Sequence, residues 1–145
     1  MTKLLRESSK PVVSVPEDMT VEDTVRTMVR HQIGAVIVLR GDDMVGIFSE
    51  RDILERIVLA RLDPAVTPVS AVMTSPVVSA TGGDDDAEAA ETMTERHIRH
   101  LPVLDDERKV VGMVSLRHIM EERVADLEHE VNVLEAYLGY DDVSG

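Results

Sequence analysis

Pro11-Val12-Val13-Ser14 and Pro76-Val77-Val78-Ser79 are the same four residues at an offset of 65, and that coincidence decides the fold. At the same offset Thr27-Met28 matches Thr92-Met93, Ile33 matches Ile98, and Val38-Leu39 matches Val103-Leu104. After one inserted residue Val45-Gly46 matches Val111-Gly112, and Ser49, Arg51 and Ile53 match Ser115, Arg117 and Ile119. Matches in one order with one single-residue gap mark a tandem duplication, and a repeat of this kind governs every later inference about architecture.

Each copy reads as an extended segment, a helix, two strands and a helix. In the first copy Thr20, followed three residues later by Asp23, is a helix-start signal, and Val21, Thr24, Val25 and Met28 recur at helical spacing. Gly34 is expected to end that helix. Ala35 to Leu39 is an apolar run of strand length, Gly41-Asp42-Asp43 is a turn, and Met44 to Phe48 is the partner strand. A second helix is expected from near Ser49 to near Ala60. The second copy repeats the pattern with a helix at Asp86 to Arg96, strands at His100 to Leu104 and Lys109 to Val114, and a helix from near Ser115. Asp63-Pro64 and Thr67-Pro68 bracket a linker, and Val69 to Met73 fits one helical turn. The predicted fold is α/β (α+β): two β-α-β-β-α motifs in a pseudo-twofold arrangement with an extended C-terminal helix. Its expected divisions are 1–65, 66–122 and 123–145. Strands this apolar are covered on both faces, and the axis between the halves creates clefts of the kind ligands occupy.

The 145 residues suit one compact domain whose core is aliphatic, because aromatics make up only 2%. With 28 acidic against 15 basic residues the formal charge is −13, which repels nucleic acid and anionic membrane. No apolar run reaches membrane-spanning length and the first residues lack a secretory pattern, so a cytoplasmic location is expected. The absence of cysteine removes disulfides, thiolate metal sites and cysteine nucleophiles.

The chemistry concentrates at Gly46-Ile47-Phe48-Ser49-Glu50-Arg51-Asp52, a strand-to-helix junction. Gly46 admits a ligand close to the backbone, and the following helix start presents N–H groups to an anion. Ser49 can donate to a phosphate, Arg51 can make charge-assisted bonds to it, and Asp52 can accept two hydrogen bonds from a ribose diol. The same Ser-x-x-Asp is also a capping box, so both readings stand at this point. The second copy keeps Gly112, Ser115 and Arg117 but places His118 where the Asp would be. Arg96, His97, Arg99, His100, Arg117 and His118 gather at the junctions of one repeat, a local basic cluster that suits an anionic ligand or, alternatively, solvated helix ends. A metal site at the histidines has no supporting spacing, and Asp84-Asp85-Asp86 reads as the acidic first turn of a helix.

These residues resemble a pair of cystathionine β-synthase (CBS) motifs, the arrangement called a Bateman module, over nearly all of residues 8 to 125. Gly46 to Asp52 meets the family signature Gly-h-h-Ser/Thr-x-x-Asp (h, hydrophobic), and Ile98-Arg99-His100-Leu101-Pro102-Val103 is similar to its second-motif strand. The resemblance implies a non-catalytic regulatory module that binds AMP foremost, or ADP, ATP, NAD(H) or S-adenosylmethionine. It assigns adenine to Val12, Val13, Val77 and Val78, with Ile33, Gly34, Ala35 and Pro102 lining the site. Arg99 and His100 take the phosphates. It further implies a homodimer, and a protein target reached in trans. A constitutive dimerisation module with vestigial clefts is the alternative. An enzyme is disfavoured, since no nucleophile elbow, Walker-type loop or zinc motif is present.

Val124, Leu127, Val131, Leu134 and Leu138 form a heptad stripe on the last helix. Two heptads are too few for an independent coiled coil, so the stripe should pack on the chain's own module or on a partner subunit. Because the modules it resembles associate in pairs, a homodimer in which this helix contributes to the interface is expected, with Tyr137 and Tyr140 anchoring its end.

Overall fold

The computed structural model describes residues 4–5 and 9–139. Two three-stranded sheets carry the duplication. In the first, β1 (Ser14–Pro16) runs parallel to β2 (Ala35–Arg40), which pairs antiparallel with β3 (Asp43–Ser49). In the second, β4 (Ala80–Thr81), β5 (His100–Leu104) and β6 (Val110–Ser115) repeat that order and those directions. The register repeats too, including an irregularity after Val38 in one sheet and after Val103 in the other.

Helix α1 (Val21–His31) begins at Thr20, whose hydroxyl accepts from Asp23 N at 3.2 Å, and buries Val21, Thr24 and Met28 on one side. Gly34 does not end it. Gln32 takes the left-handed conformation (φ 55°) and donates its N–H to the carbonyls of Met28 and Val29. His97 also takes the left-handed conformation (φ 56°) just after the second copy's helix α3 (Asp86–Glu95), which ends within one residue of the expected Arg96. The helix after β3 also differs from expectation. One α-turn, α2 (Glu50–Asp52), passes into a π-helical stretch, Ile53–Val58, and the chain turns away after it. Its counterpart α4 (Leu116–Leu138) is regular for 23 residues.

Two aliphatic cores lie against the sheets, one around Val15, Met28, Val36, Val38, Phe48 and Ile57, the other around Met93, Leu101, Val103, Val114 and Ile119. The linker residues Val69, just after Pro68 in a 3-10 turn (Val69–Ala71), and Val72 belong to the first core. Leu5, from the start of the chain, is fully buried in the second. The segments leading into each copy thus close the core of the other. Thr74 and Ile47 exchange backbone hydrogen bonds of 2.8 and 3.0 Å, and Lys10 and Met113 do so at 2.9 and 3.0 Å. This reciprocal crossing makes the halves one unit.

Ile119 is the buried residue of α4, and Val124, Leu127, Val131, Leu134 and Leu138 all face away from the chain's own module. Tyr137 is 86% exposed and anchors nothing within the chain, while Tyr140 lies outside the described residues.

Candidate functional site

A cleft of about 930 Å³ lies between the copies. The first copy supplies Pro11 to Val13, the stretch leading into β1, and Ile33 to Ala35, the entry to β2. The second supplies Arg99 and His100 at the entry to β5, and Ser115 to His118 at the β6–α4 junction. Its volume is within the range of small-molecule sites, which are usually apolar with a few placed polar groups. Val12, Val13, Ile33 and Met113 provide the apolar surface, while Arg99 and Arg117 are exposed cations on the same wall. Lys10, Glu50 and Gln32 also line it and were not singled out in the sequence. Lys10 immediately precedes the repeated Pro-Val-Val-Ser, and that adjacency was the available signal.

Ser115 caps α4 by accepting from His118 N at 3.1 Å, so this junction carries a helix start at the cleft wall. The His118 ring is three-quarters buried, with Nε2 2.6 Å from Glu122 Oε1 one turn further on. An imidazole held by a carboxylate has one ring nitrogen left for a ligand, where an aspartate offers two oxygens. Arg117 pairs with Glu121 at 3.0 Å. His100 packs against Gly34, whose added Cβ would lie 3.3 Å from the ring. Burial pushes the His100 imidazole below its ordinary range; nearby Glu50 opposes the shift and Arg99 adds to it.

The signature in the first copy is occupied differently. Asp52 is buried, with its carboxylate accepting from Ser49 N at 2.9 Å and from the Thr74 hydroxyl at 3.0 Å, and Arg56 Nε stands at 3.6 Å. Asp52 thus makes the side-chain half of the capping box that the sequence also allowed. Gly46, expected to admit a ligand, instead admits the chain: a Cβ there would lie 2.7 Å from Met73 Cγ. Gly112 is overlaid in the same way by Ser9, whose Cβ would come within 2.8 Å. Arg51 donates to His97 O at 2.9 Å across the copies and caps the end of α3.

The cleft therefore brings together ten of the candidate residues, namely Val12, Val13, Ile33, Gly34, Ala35, Arg99, His100, Ser115, Arg117 and His118. Gly46, Ser49, Arg51, Asp52, Val77, Val78 and Pro102 are not on its wall. Val78 packs against the second core, and Pro102 is buried in β5 opposite Met113. The sequence pointed to Asp52 for a ribose and to Arg99 and His100 for phosphates. The cleft joins Arg99 and His100 with His118. Among the described residues no helix is long and apolar enough to cross a membrane, and no three His, Asp or Glu side chains gather as a metal-binding group.

Two β-α-β-β-α repeats that close each other's cores and share a cleft with a basic wall define a paired-repeat module. The chain belongs to the CBS domain family, whose model matches residues 5–59 and 69–125. The CBS domain-containing protein CBSX3, mitochondrial, of Arabidopsis thaliana is 32% identical over 126 residues, which cover 83% of this chain and 61% of that protein. Against two further curated relatives the chain spans 22% and 63% of their lengths. Among solved structures, a protein with CBS domains from Burkholderia ambifaria MC40-6 is 32% identical with a TM-score of 0.80, covering 87% of this chain and 96% of that one. The CBS domain protein PAE2072 from Pyrobaculum aerophilum, complexed with AMP, is 31% identical with a TM-score of 0.78, covering 87% and 97%.

Proposed function

We propose that this chain is a non-catalytic regulatory module whose cleft binds an adenosine-containing ligand, AMP foremost, and which signals in the cytoplasm to a protein target in trans. The observation that carries the reading is the cleft itself, with an apolar slot at Val12, Val13 and Ile33 facing a wall that holds Arg99, Arg117, His100 and His118. An adenine fits the slot, and phosphate fits the wall. The AMP complex of PAE2072, a relative covering most of both chains, supports the same ligand class. The functional divisions are 1–65, 66–122 and 123–145, allowing for the crossed segments.

Two modules pair as a homodimer through a face that the duplication itself supplies. Leu54 and Val58 after β3 correspond to Met120 and Val124 after β6, and all four are at least half exposed. Apolar residues left exposed at matching positions in both copies are the surfaces that pairing with a second copy would cover.

A second reading has a specific observation behind it. Asp52 is committed to the chain and His118 to Glu122, so the module serves as a constitutive pairing unit if neither can be released to a ribose. A thermal-shift panel with AMP, ADP, ATP, NADH and S-adenosylmethionine separates the two. A true ligand at about 100 times its dissociation constant adds about 2.7 kcal/mol and raises the melting temperature by about 5–10 °C. No shift with any compound removes the ligand-binding reading in favour of the constitutive one.

A further inference from the structure

We propose that the distal half of α4, from Leu127 to Leu138, docks a basic amphipathic helix of a partner protein. This half has no counterpart in the first copy, where the chain turns away after Val58. Nor is it needed to close the module, since α4 buries Ile119 near its start. Leu127, Val131, Leu134 and Leu138 are each more than half exposed and alternate by four, three and four residues. They make an apolar seam about 16 Å long at the rise of an α-helix. An open groove of about 400 Å³ lies at its start, lined by Leu127, Glu128, Val131 and Asn132 beside Val124, the last residue of the pairing surface. Spacing of this kind is complementary to another helix presenting anchors at the same interval.

Charge selects the occupant. Asp126, Glu128, Glu130 and Glu135 flank the seam, and residues 124–139 contain no Lys or Arg. The nearest basic flank residue, Arg123, is turned toward Asp86 of α3 at 3.9 Å. In a parallel pair of α4 helices Glu130 would face Glu135 of the other copy, and in an antiparallel pair Glu128 and Glu135 would face their own kind. A second copy therefore meets repulsion in either orientation, and so does an anionic lipid surface. A helix with Lys or Arg beside its apolar stripe meets neither. The surface exists whether or not the cleft holds a nucleotide.

Two synthetic peptides with the same Leu/Val heptad seam, one flanked by Lys and the other by Glu, test the inference by fluorescence anisotropy against the full chain. The Lys-flanked peptide should bind at least about tenfold tighter, and more weakly as salt is raised. Leu127→Ser/Leu134→Ser should abolish binding while leaving the oligomeric state by light scattering unchanged. Glu128→Lys/Glu130→Lys/Glu135→Lys should invert the preference between the peptides, which keeps the test decisive if the serine variant folds poorly. Equal binding of the two peptides, or binding of neither, overturns the proposal. So does dissociation of a dimer into monomers by the serine variant, which would assign the seam to a second copy.

Discussion

The junctions after β3 and after β6 start from the same letters, Gly-x-x-Ser-x-Arg, and do different work. In the first, Asp52 closes back on the Ser49 amide and the Thr74 hydroxyl, and the helix slips into π geometry after one turn. In the second, Ser115 holds the helix start, His118 lies along the cleft, and α4 continues for 23 residues. A duplicated motif thus supplies one junction whose Asp52 is bound into the chain while Glu50 and Ile53 reach the cleft, and one whose Ser115 to His118 all line the cleft. Asp52, whose carboxylate could accept from a ribose diol, here accepts from the Ser49 amide and the Thr74 hydroxyl.

The sharpest way to break this contrast is to remove the two side chains at the matched position. Asp52→Ala removes a buried carboxylate that pairs with Arg56, leaving the Ser49 amide, the Ser49 hydroxyl and the Thr74 hydroxyl without their acceptor. It should destabilise the fold by about 2–3 kcal/mol, read as a lower urea midpoint at unchanged slope. His118→Ala, on a side chain paired with Glu122 across one turn, should leave that midpoint nearly unchanged and act on ligand affinity instead. If Asp52→Ala instead kept full stability and lost only nucleotide binding, Asp52 would be a ligand residue and not a structural one. His118→Asp sharpens the point: restoring two acceptor oxygens on the cleft wall should tighten a ribose ligand, measured by calorimetry.

The glycines give the next effect. Gly46→Ala places a methyl against the Met73 side chain, whereas Gly112→Ala meets Ser9 and also comes within 3.3 Å of the Lys10 carbonyl. A thioether can swing aside more readily than a hydrogen-bonded backbone segment can. Both variants should lower stability, by about 1–3 kcal/mol for overpacking, with Gly112→Ala the worse of the two. Thermal melts of the pair check the order, and the reverse order would mean that the linker crossing is the tighter contact.

The duplication and the antiparallel pair of each sheet were legible in the sequence because β2, β3, β5 and β6 are short apolar runs that recur in the second copy, whereas β1 and β4 form at and beyond the ends of the repeated Pro-Val-Val-Ser. The hairpin at Gly41 was legible because its residue has the positive φ that glycine favours. What stayed hidden was long-range. Nothing local in Met73-Thr74 or Ser9-Lys10 says that they cross to the other copy, because that crossing is set by backbone hydrogen bonds any residue can make. It is this crossing that turns Gly46 from a ligand approach into a packing contact. The end of α1 at Gln32 was missed for another reason: a left-handed cap favours glycine by only a modest energy, which the backbone bonds to Met28 and Val29 offset, whereas the end of α3 was legible to within one residue at Arg96. Arg99, His100 and Arg117 were legible as a cluster through their spacing, whereas grouping them with His118 rather than Asp52 required the cleft.

The smallest effect distinguishes the copies at the strand entry, where the first has Ala35 and the second His100. Burial lowers the His100 pKa from its ordinary 6.5, with Glu50 acting against that shift and Arg99 reinforcing it. In the unfolded chain the imidazole takes up its proton as the pH falls through the ordinary range, while in the folded chain it stays neutral to lower pH. The unfolded state therefore binds more protons in this window, and the stability present above about pH 6.5 is lost as the pH falls through the depressed folded value. Urea midpoints at neutral and mildly acidic pH should fall for the native chain and fall less for His100→Gln, which cannot titrate. Equal slopes for the two would place the acid sensitivity elsewhere. A bound phosphate beside His100 would favour the charged ring, so a saturating nucleotide should flatten the native slope toward that of the variant.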